Sequence, residues 1–270
     1  MLKISQTHLN LLQNCPRKFQ HLYLDQLGFV VSPAEQKKMN WGKQFHLLMQ
    51  QYQLGLPVDL LAPADPQMLE CFHRFLARLP DDLRAPAPSD PNLFRAPEHE
   101  RTLRLAPEYL LIVIYDLLIA NSEQAQIIDW KTYRQPRSSH ELAENWQTRL
   151  YLYLGVETTD YLPEQVSMTY WFVQPQGQDV PTSLTFNYNS SQHRKNQQDL
   201  QELLTQLTQW RQTYQNQGHP FNQCQLSTGH CQSCQFAIRC HRHPDPENSP
   251  ALNPPIFNVS QIAEVPEIAL

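Results

Sequence analysis

The sequence predicts an α/β fold, and three observations carry that reading. Two apolar runs, Leu110–Ala120 and Gln126–Trp130, flank the polar stretch Asn121–Ala125, which is the pattern of a β-hairpin. Further strand-like segments, Glu98–Leu105, Val166–Val173 and Ser183–Tyr188, alternate with helical stretches over 34–54, 140–155 and 190–216. The chain of 270 residues is long enough for one large domain with a real core, or for two small ones.

Taken in order, Ser5 is a candidate N-cap for a helix through His8, Leu9, Leu11 and Leu12. It leads into Cys15-Pro16-Arg17-Lys18-Phe19, where the proline suits the first position of a restarted helix. By itself Cys15 reads as a buried small apolar residue, and Arg17 and Lys18 as a solvated face. Within 34–54, Gly42 is followed one turn later by His46. Spacing alone makes His46 a structural or exposed histidine more readily than a metal ligand. A further helix is expected over Pro66–Leu79, and the five prolines of residues 80–97 predict a loop. The helix over 140–155 sets Gln147 and Tyr151 on one face, a spacing that suits an ordinary amphipathic helix equally well. Residues 190–216 form a long Gln-rich helix, and Pro-rich His243–Leu270 reads as an extended tail.

The hairpin carries the chemistry. A turn centred between Ser122 and Glu123 sets Asp116 opposite Asp129, with Cβ atoms roughly 5 Å apart. Asp129 and Lys131 are two apart and share a strand face. Two carboxylates and one ammonium converging in an apolar sheet read as a metal-dependent phosphodiesterase centre. Trp41, Trp130 and Trp146 read first as core residues, with base stacking as the alternative.

The cysteines form a second constellation. Cys231, Cys234 and Cys240 are spaced C-x2-C-x5-C. The chain starts without a secretory h-region and has no apolar run of the roughly 18–20 residues that cross a membrane. It is therefore expected in the cytoplasm, without a membrane partner, where six cysteines argue for metal or cluster ligation rather than disulfides. A four-coordinate site needs a further ligand, from Cys15, Cys224, Cys71, His230, His241 or His243. The net charge of −5 argues against a protein that coats nucleic acid, but a locally basic groove is compatible with it.

Assembled in order, these residues resemble the RecB-like branch of the PD-(D/E)XK nuclease superfamily. The closest likeness is to the iron–sulfur type found in AddB nuclease domains and CRISPR-associated RecB-like exonucleases. The resemblance runs over roughly residues 4–242. It rests on Ser5 to Leu9 with the CPRKF of Cys15–Phe19, Gly42–His46, Asp116, the D-x-K of Asp129 to Lys131, the Q-x-x-x-Y of Gln147 to Tyr151, and C-x2-C-x5-C. One departure is Val113, where relatives often carry glycine three residues before the first aspartate. An upstream strand glutamate is also common, and Glu98 and Glu100 both qualify.

The resemblance implies a restriction-endonuclease-like mixed sheet flanked by helices, with a nuclease domain over 1–242 and a tail over 243–270. It implies that His46, Asp116 and Asp129 hold Mg2+ or Mn2+, and that Lys131 stabilises charge on the phosphorus. Gln147 and Tyr151 would orient Lys131 and the phosphate. Cys15, Cys231, Cys234 and Cys240 would hold a [4Fe–4S] cluster, with zinc as the competing occupant. Arg17, Lys18 and Arg149, with Lys43, Arg134 and Arg137, are candidates to track DNA. The expected activity is that of a metal-dependent deoxyribonuclease, an exonuclease on single strands or DNA ends, in DNA repair, recombination or CRISPR adaptation. Helicase or CRISPR adaptation proteins would be its partners. The alternatives are a nucleic-acid-binding or scaffolding protein of the same fold with little hydrolysis, and a zinc-stapled protein with no DNA role.

Overall fold

The computed structural model of the protein describes residues 1–28, 31–58, 65–85, 92–133, 138–173 and 181–242. The expected tail over 243–270 lies outside them, as do Arg134, Arg137 and His243. The contacts divide the chain into two compact units. One comprises Met1–Lys3 and Ser32–Asn196, the other Ile4–Val31 and Gln197–Leu270.

The first unit is built on a mixed sheet. Strands β1 (Leu2–Ile4), β2 (Phe94–Leu105), β3 (Tyr109–Ala120), β4 (Ala125–Lys131), β5 (Val166–Phe172) and β6 (Thr182–Asn187) form six strands in one sheet. β3 pairs with β1, β2 and β4; β4 and β5 are parallel; the β2–β3, β3–β4 and β5–β6 pairings are antiparallel. β2 begins at Phe94, so the last part of the expected loop is strand. The β3–β4 register is the one the turn dictates, from Ala120↔Ala125 to Leu117↔Ile128.

Helices cover both faces, as an α/β sheet requires. On one face lie α3 (Pro33–Gln53) and α4 (Pro66–Leu76); the short α1 (Gln6–Asn14) and α2 (Pro16–Phe19) precede them in the chain. Ser32 caps α3 in a reciprocal box with Glu35, and Pro33 takes the first helical position. Phe45, Leu48 and Met49 of α3 and Phe72 and Phe75 of α4 pack with Leu117, Ile128 and Trp130 of the sheet in one buried cluster.

The helix expected over 140–155 is two helices, α5 (Ser139–Glu144) and α6 (Trp146–Glu157). Asn145 separates them with an extended backbone and caps α6 by accepting the N–H of Gln147. α6 lies close on the sheet at Gly155, where an added Cβ would meet Val166 and Ile127 at 3.2 and 3.3 Å. α7 (Ser190–Gln217) follows β6 and ends in the second unit.

In the second unit, α1, α2 and a π-helical turn over Gln20–Leu24 carry the N-terminal residues. Phe221 is buried there among Phe19, Trp210 and Tyr214. Arg17 Nε donates to the Phe221 carbonyl at 2.6 Å, and Gln20 Oε1 accepts the Phe221 N–H at 2.7 Å. No described helix is long and apolar enough to cross a membrane.

Candidate metal centre

Asp116 sits where the sheet pairing is interrupted. Burial along β3 alternates up to Leu117 and changes phase at Leu118. Asp116 has no ladder partner on either side: the pairings with β2 skip from Pro97↔Leu117 to His99↔Tyr115, and those with β4 stop at Leu117↔Ile128. Glu98, opposite Asp116 in β2, has a φ of +48°, the left-handed region that a non-glycine residue seldom adopts. Such a local break re-aims side chains, as bulges beside active sites do. The Trp130 N–H donates to Asp116 Oδ2 at 2.6 Å, which ties the acid to β4.

α3 supplies His46. Gly42, one turn earlier, allows the close approach, since a Cβ there would lie 3.2 Å from Thr132 Oγ1, just past β4. His46 Nδ1 lies 3.1 Å from Asp116 Oδ1. Ligand atoms of His46, Glu98 and Asp116 all fall within 4.8 Å of one another. Glu98, not Glu100, is therefore the strand glutamate at this centre. Burial opposes a charge on His46, but the charge and hydrogen bond of Asp116, together with Asp129, outweigh it and push its pKa up to about 9.

Asp129 is buried on the next strand. Its Oδ1 accepts from Gln147 Nε2 at 2.7 Å, and Oδ2 lies 3.0 Å from Lys131 Nζ. Apart from that ion pair, Oδ2 has no hydrogen-bond partner among the described residues. Gln147 Oε1 accepts from Lys131 Nζ at 2.6 Å, so one amide bridges acid and base. Burial raises the Asp129 pKa above the usual carboxylate range; Lys131 opposes this, Asp116 adds to it, and His46 opposes it. Lys131 Nζ also lies 5.3 Å from the Tyr170 ring centroid.

Asp129 was expected with His46 and Asp116 as a ligand. The compact group is instead His46, Glu98 and Asp116, with Asp129 beside it in the Lys131–Gln147 network. Oxygen-rich ligands with one imidazole suit Mg2+ or Mn2+. Ligand atoms about 2.1 Å from a shared ion are at most about 4.2 Å apart, so a small adjustment of the group would accommodate one. Asp129 Oδ2, which faces the Lys131 ammonium, offers a further acceptor. The residues fit a hard divalent cation.

Other expected site residues fall differently. Tyr151 is buried, its ring packed edge-to-face on Tyr115 and its carbonyl accepting the Tyr115 hydroxyl at 2.9 Å. Arg149, expected to track DNA, is buried: Nε donates to Asn196 at 2.9 Å and the guanidinium lies 4.1 Å from the Trp146 ring. It holds α6 in place rather than facing solvent. Trp130 and Trp146 are core residues. Val113 is fully buried opposite Arg101, so the departure from glycine is taken up by packing.

The thiols gather in the second unit, except Cys71, which is in the hydrophobic core of the first. The Cys15 sulfur contacts the backbone N–H groups of Cys224 and Lys18 and the Cys224 thiol. Cys224 and Cys231 sulfurs are 3.6 Å apart, and burial pushes the Cys240 thiol pKa up, with Arg17 opposing it. His21 was not foreseen: Nε2 lies 3.7 Å from Cys240 Sγ, and Nδ1 is 2.9 Å from Asp25 Oδ2. The i,i+4 spacing of His21 and Asp25 was the available signal.

The family model of the PD-(D/E)XK nuclease superfamily matches residues 3–241. The chain belongs to the PD-(D/E)XK nuclease superfamily. Membership implies a metal-dependent nuclease, and the six-stranded mixed sheet flanked by helices is the restriction-endonuclease-like fold of that superfamily. No curated protein matches the chain. Among solved structures it is similar to one described as the crystal structure of SSO0001. The two share 16% sequence identity over 88% of this chain and 85% of that chain, with a TM-score of 0.37.

Proposed function

We propose that the protein is a Mg2+- or Mn2+-dependent deoxyribonuclease, acting as an exonuclease on single-stranded DNA or DNA ends. The observation that carries this reading is the Asp129–Lys131–Gln147 network beside the His46, Glu98 and Asp116 group. His46, Asp116 and Asp129, joined by Glu98, are the proposed holders of the cation. When bound, the cation supplies charge for the scissile phosphate and for the departing oxygen.

The chain's own residues do the rest. Lys131 points its ammonium to where negative charge grows on the non-bridging phosphate oxygens as water attacks and the P–O ester bond breaks. Gln147 fixes Lys131 and Asp129 relative to each other, so neither side chain must be ordered during the reaction. Tyr151 supports α6 and the alignment of Gln147. Arg17 and Lys18 are proposed contacts to the DNA backbone. Cys15, Cys231, Cys234 and Cys240 are proposed ligands of a [4Fe–4S] cluster with a structural role, zinc being the alternative occupant. DNA repair, recombination or CRISPR adaptation, with a helicase or adaptation proteins as partners, is the proposed setting.

The test uses 5′- and 3′-labelled single- and double-stranded DNA with Mg2+ or Mn2+. Wild-type protein should shorten the strands from an end, and Asp129→Ala should lose at least about a hundredfold in rate. Equal degradation by the two proteins would sink the catalytic assignment.

A further inference from the structure

The second unit holds one more thiol than a four-thiolate site needs. Cys15, Cys231, Cys234 and Cys240 supply the proposed ligands, yet Cys224 lies among them. Its sulfur is 3.6 Å from Cys231 Sγ, in van der Waals contact, and touches Cys15. Local backbone sets up this contact. Leu226–Thr228 forms a 3-10 turn, and Gly229 adopts a φ of +72°, which glycine takes without strain. The chain thereby reverses between Cys224 and Cys231. The Gln232 N–H then donates to Gly229 and the Cys234 N–H to Cys231, continuing the fold toward the other thiols.

We infer that Cys224 is a reserve ligand of the thiolate site, able to take the metal corner of Cys231. This rests on the proposed thiolate site. A metal is bound about 2.3 Å from a thiolate sulfur. With the two sulfurs in contact, an atom bound to one is reached by the other after a side-chain rotation, without refolding the segment. The exchange is a ligand substitution: the Cys231 thiolate leaves the metal, Cys224 loses its thiol proton to solvent and binds, and no electron is transferred. Cys240 has a different kind of neighbour, His21 Nε2 at 3.7 Å, an imidazole rather than a second thiol, and Cys71 is in the other unit's core. The arrangement would keep the site filled when Cys231 is oxidised or alkylated.

The experiment compares full-length wild type, Cys224→Ala, Cys231→Ser, Cys234→Ser and the double variant Cys224→Ala/Cys231→Ser. All are purified without oxygen, and circular dichroism is recorded for each. Iron, acid-labile sulfide and zinc per chain are measured, with the visible absorbance. Wild type and Cys224→Ala should be equally filled. Cys231→Ser should keep roughly half or more of the metal, whereas Cys234→Ser and the double variant should fall to roughly a tenth. Should Cys231→Ser not fold, the same comparison in a Cys231→Ala background decides the matter. Loss of metal from Cys231→Ser as complete as from Cys234→Ser would overturn the reserve role and leave the site standing. So would loss from Cys224→Ala alone, which would make Cys224 an obligatory ligand. Wild-type protein binding neither iron nor zinc would overturn the site, and the reserve role with it.

Discussion

Lys131 is the residue on which the proposed chemistry and the stability of the centre meet. It is the counter-charge of the buried Asp129, 3.0 Å away, and it is fixed by Gln147 at 2.6 Å. Lys131→Met should lower the cleavage rate by about 10²–10³, the usual loss for one preorganised charge donor. It also leaves Asp129 buried without its ammonium, a defect worth roughly 1–3 kcal/mol in a partly wet site. A divalent cation would replace that charge. Thermal melts should therefore show a larger deficit in EDTA than in Mg2+, while Mg2+ leaves the activity low. Equal deficits in both would refute the placement of the cation beside Asp129. Gln147→Ala should cost less, about tenfold to a hundredfold, because charge remains and only alignment is lost. At this scale the sequence was partly legible. The turn gave the β3–β4 register, but the ladder stops at Leu117↔Ile128, one residue short of Asp116, and the carboxylate grouped with Asp116 is Glu98, which the pattern could not choose over Glu100. Residues two apart share a face of a regular strand. The choice is made by the positive φ at Glu98 and the interrupted pairing at Asp116, neither of which a period-two pattern can reveal.

The elements follow the sequence where patterns are local and depart where tertiary contacts decide. The hairpin was readable because its turn is compact and its strands are long and apolar. The expected amphipathic character of α6 fails, since every residue from Trp146 to Gly155 is buried. Its polar groups are satisfied by distant partners: Gln147 by Asp129 and Lys131, Thr148 by Tyr170, and Arg149 by Asn196. No one-dimensional pattern announces those. Gly155→Leu should destabilise the first unit by about 1–3 kcal/mol, because Val166 and Ile127 leave no room for a side chain; the midpoint of urea unfolding reads this. At the start of α1, the Ser5 N–H donates to His8 Nδ1 at 2.9 Å, so His8 must be neutral there. Burial lowers its pKa from 6.5 to about 4. The unfolded chain then binds the proton more tightly, and the His8 contribution is complete above about pH 6.5 and is lost as the pH falls toward 4. Wild type should lose roughly 1–3 kcal/mol more than His8→Gln between pH 7.5 and 4.5. Parallel pH profiles of the two unfolding midpoints would contradict that capping role.

For the whole molecule, the order of strands and helices foretold an α/β sheet, and the C-x2-C-x5-C spacing carries the proposal of a thiolate site in the second unit. The composition of the second unit was harder to read, because it is assembled from the two ends of the described chain, Ile4–Val31 and the residues from Gln197 onward. Segments so far apart carry no common periodicity; only the cysteines hinted that they meet. The polar contacts joining them are few but specific, such as Arg17 to Phe221, Gln20 to Phe221 and Tyr214 to Asp25 at 2.7 Å. A thiolate site including Cys15 and Cys231 would close a loop of about 200 residues. Closure entropy grows with loop length, so such a tie constrains the unfolded chain strongly, by about 3 kcal/mol or more. Cys15→Ser should therefore lower the melting temperature by roughly 5–10 °C in a chain of this size. Limited proteolysis should cut first within Ile4–Val31 or after Gln197, before the sheet is attacked. The variant separates this effect from the divalent-cation centre, which a chelator would strip as well. A Cys15→Ser protein with wild-type melting and proteolysis would mean that the ends are held by packing alone, and that the thiols play no structural part.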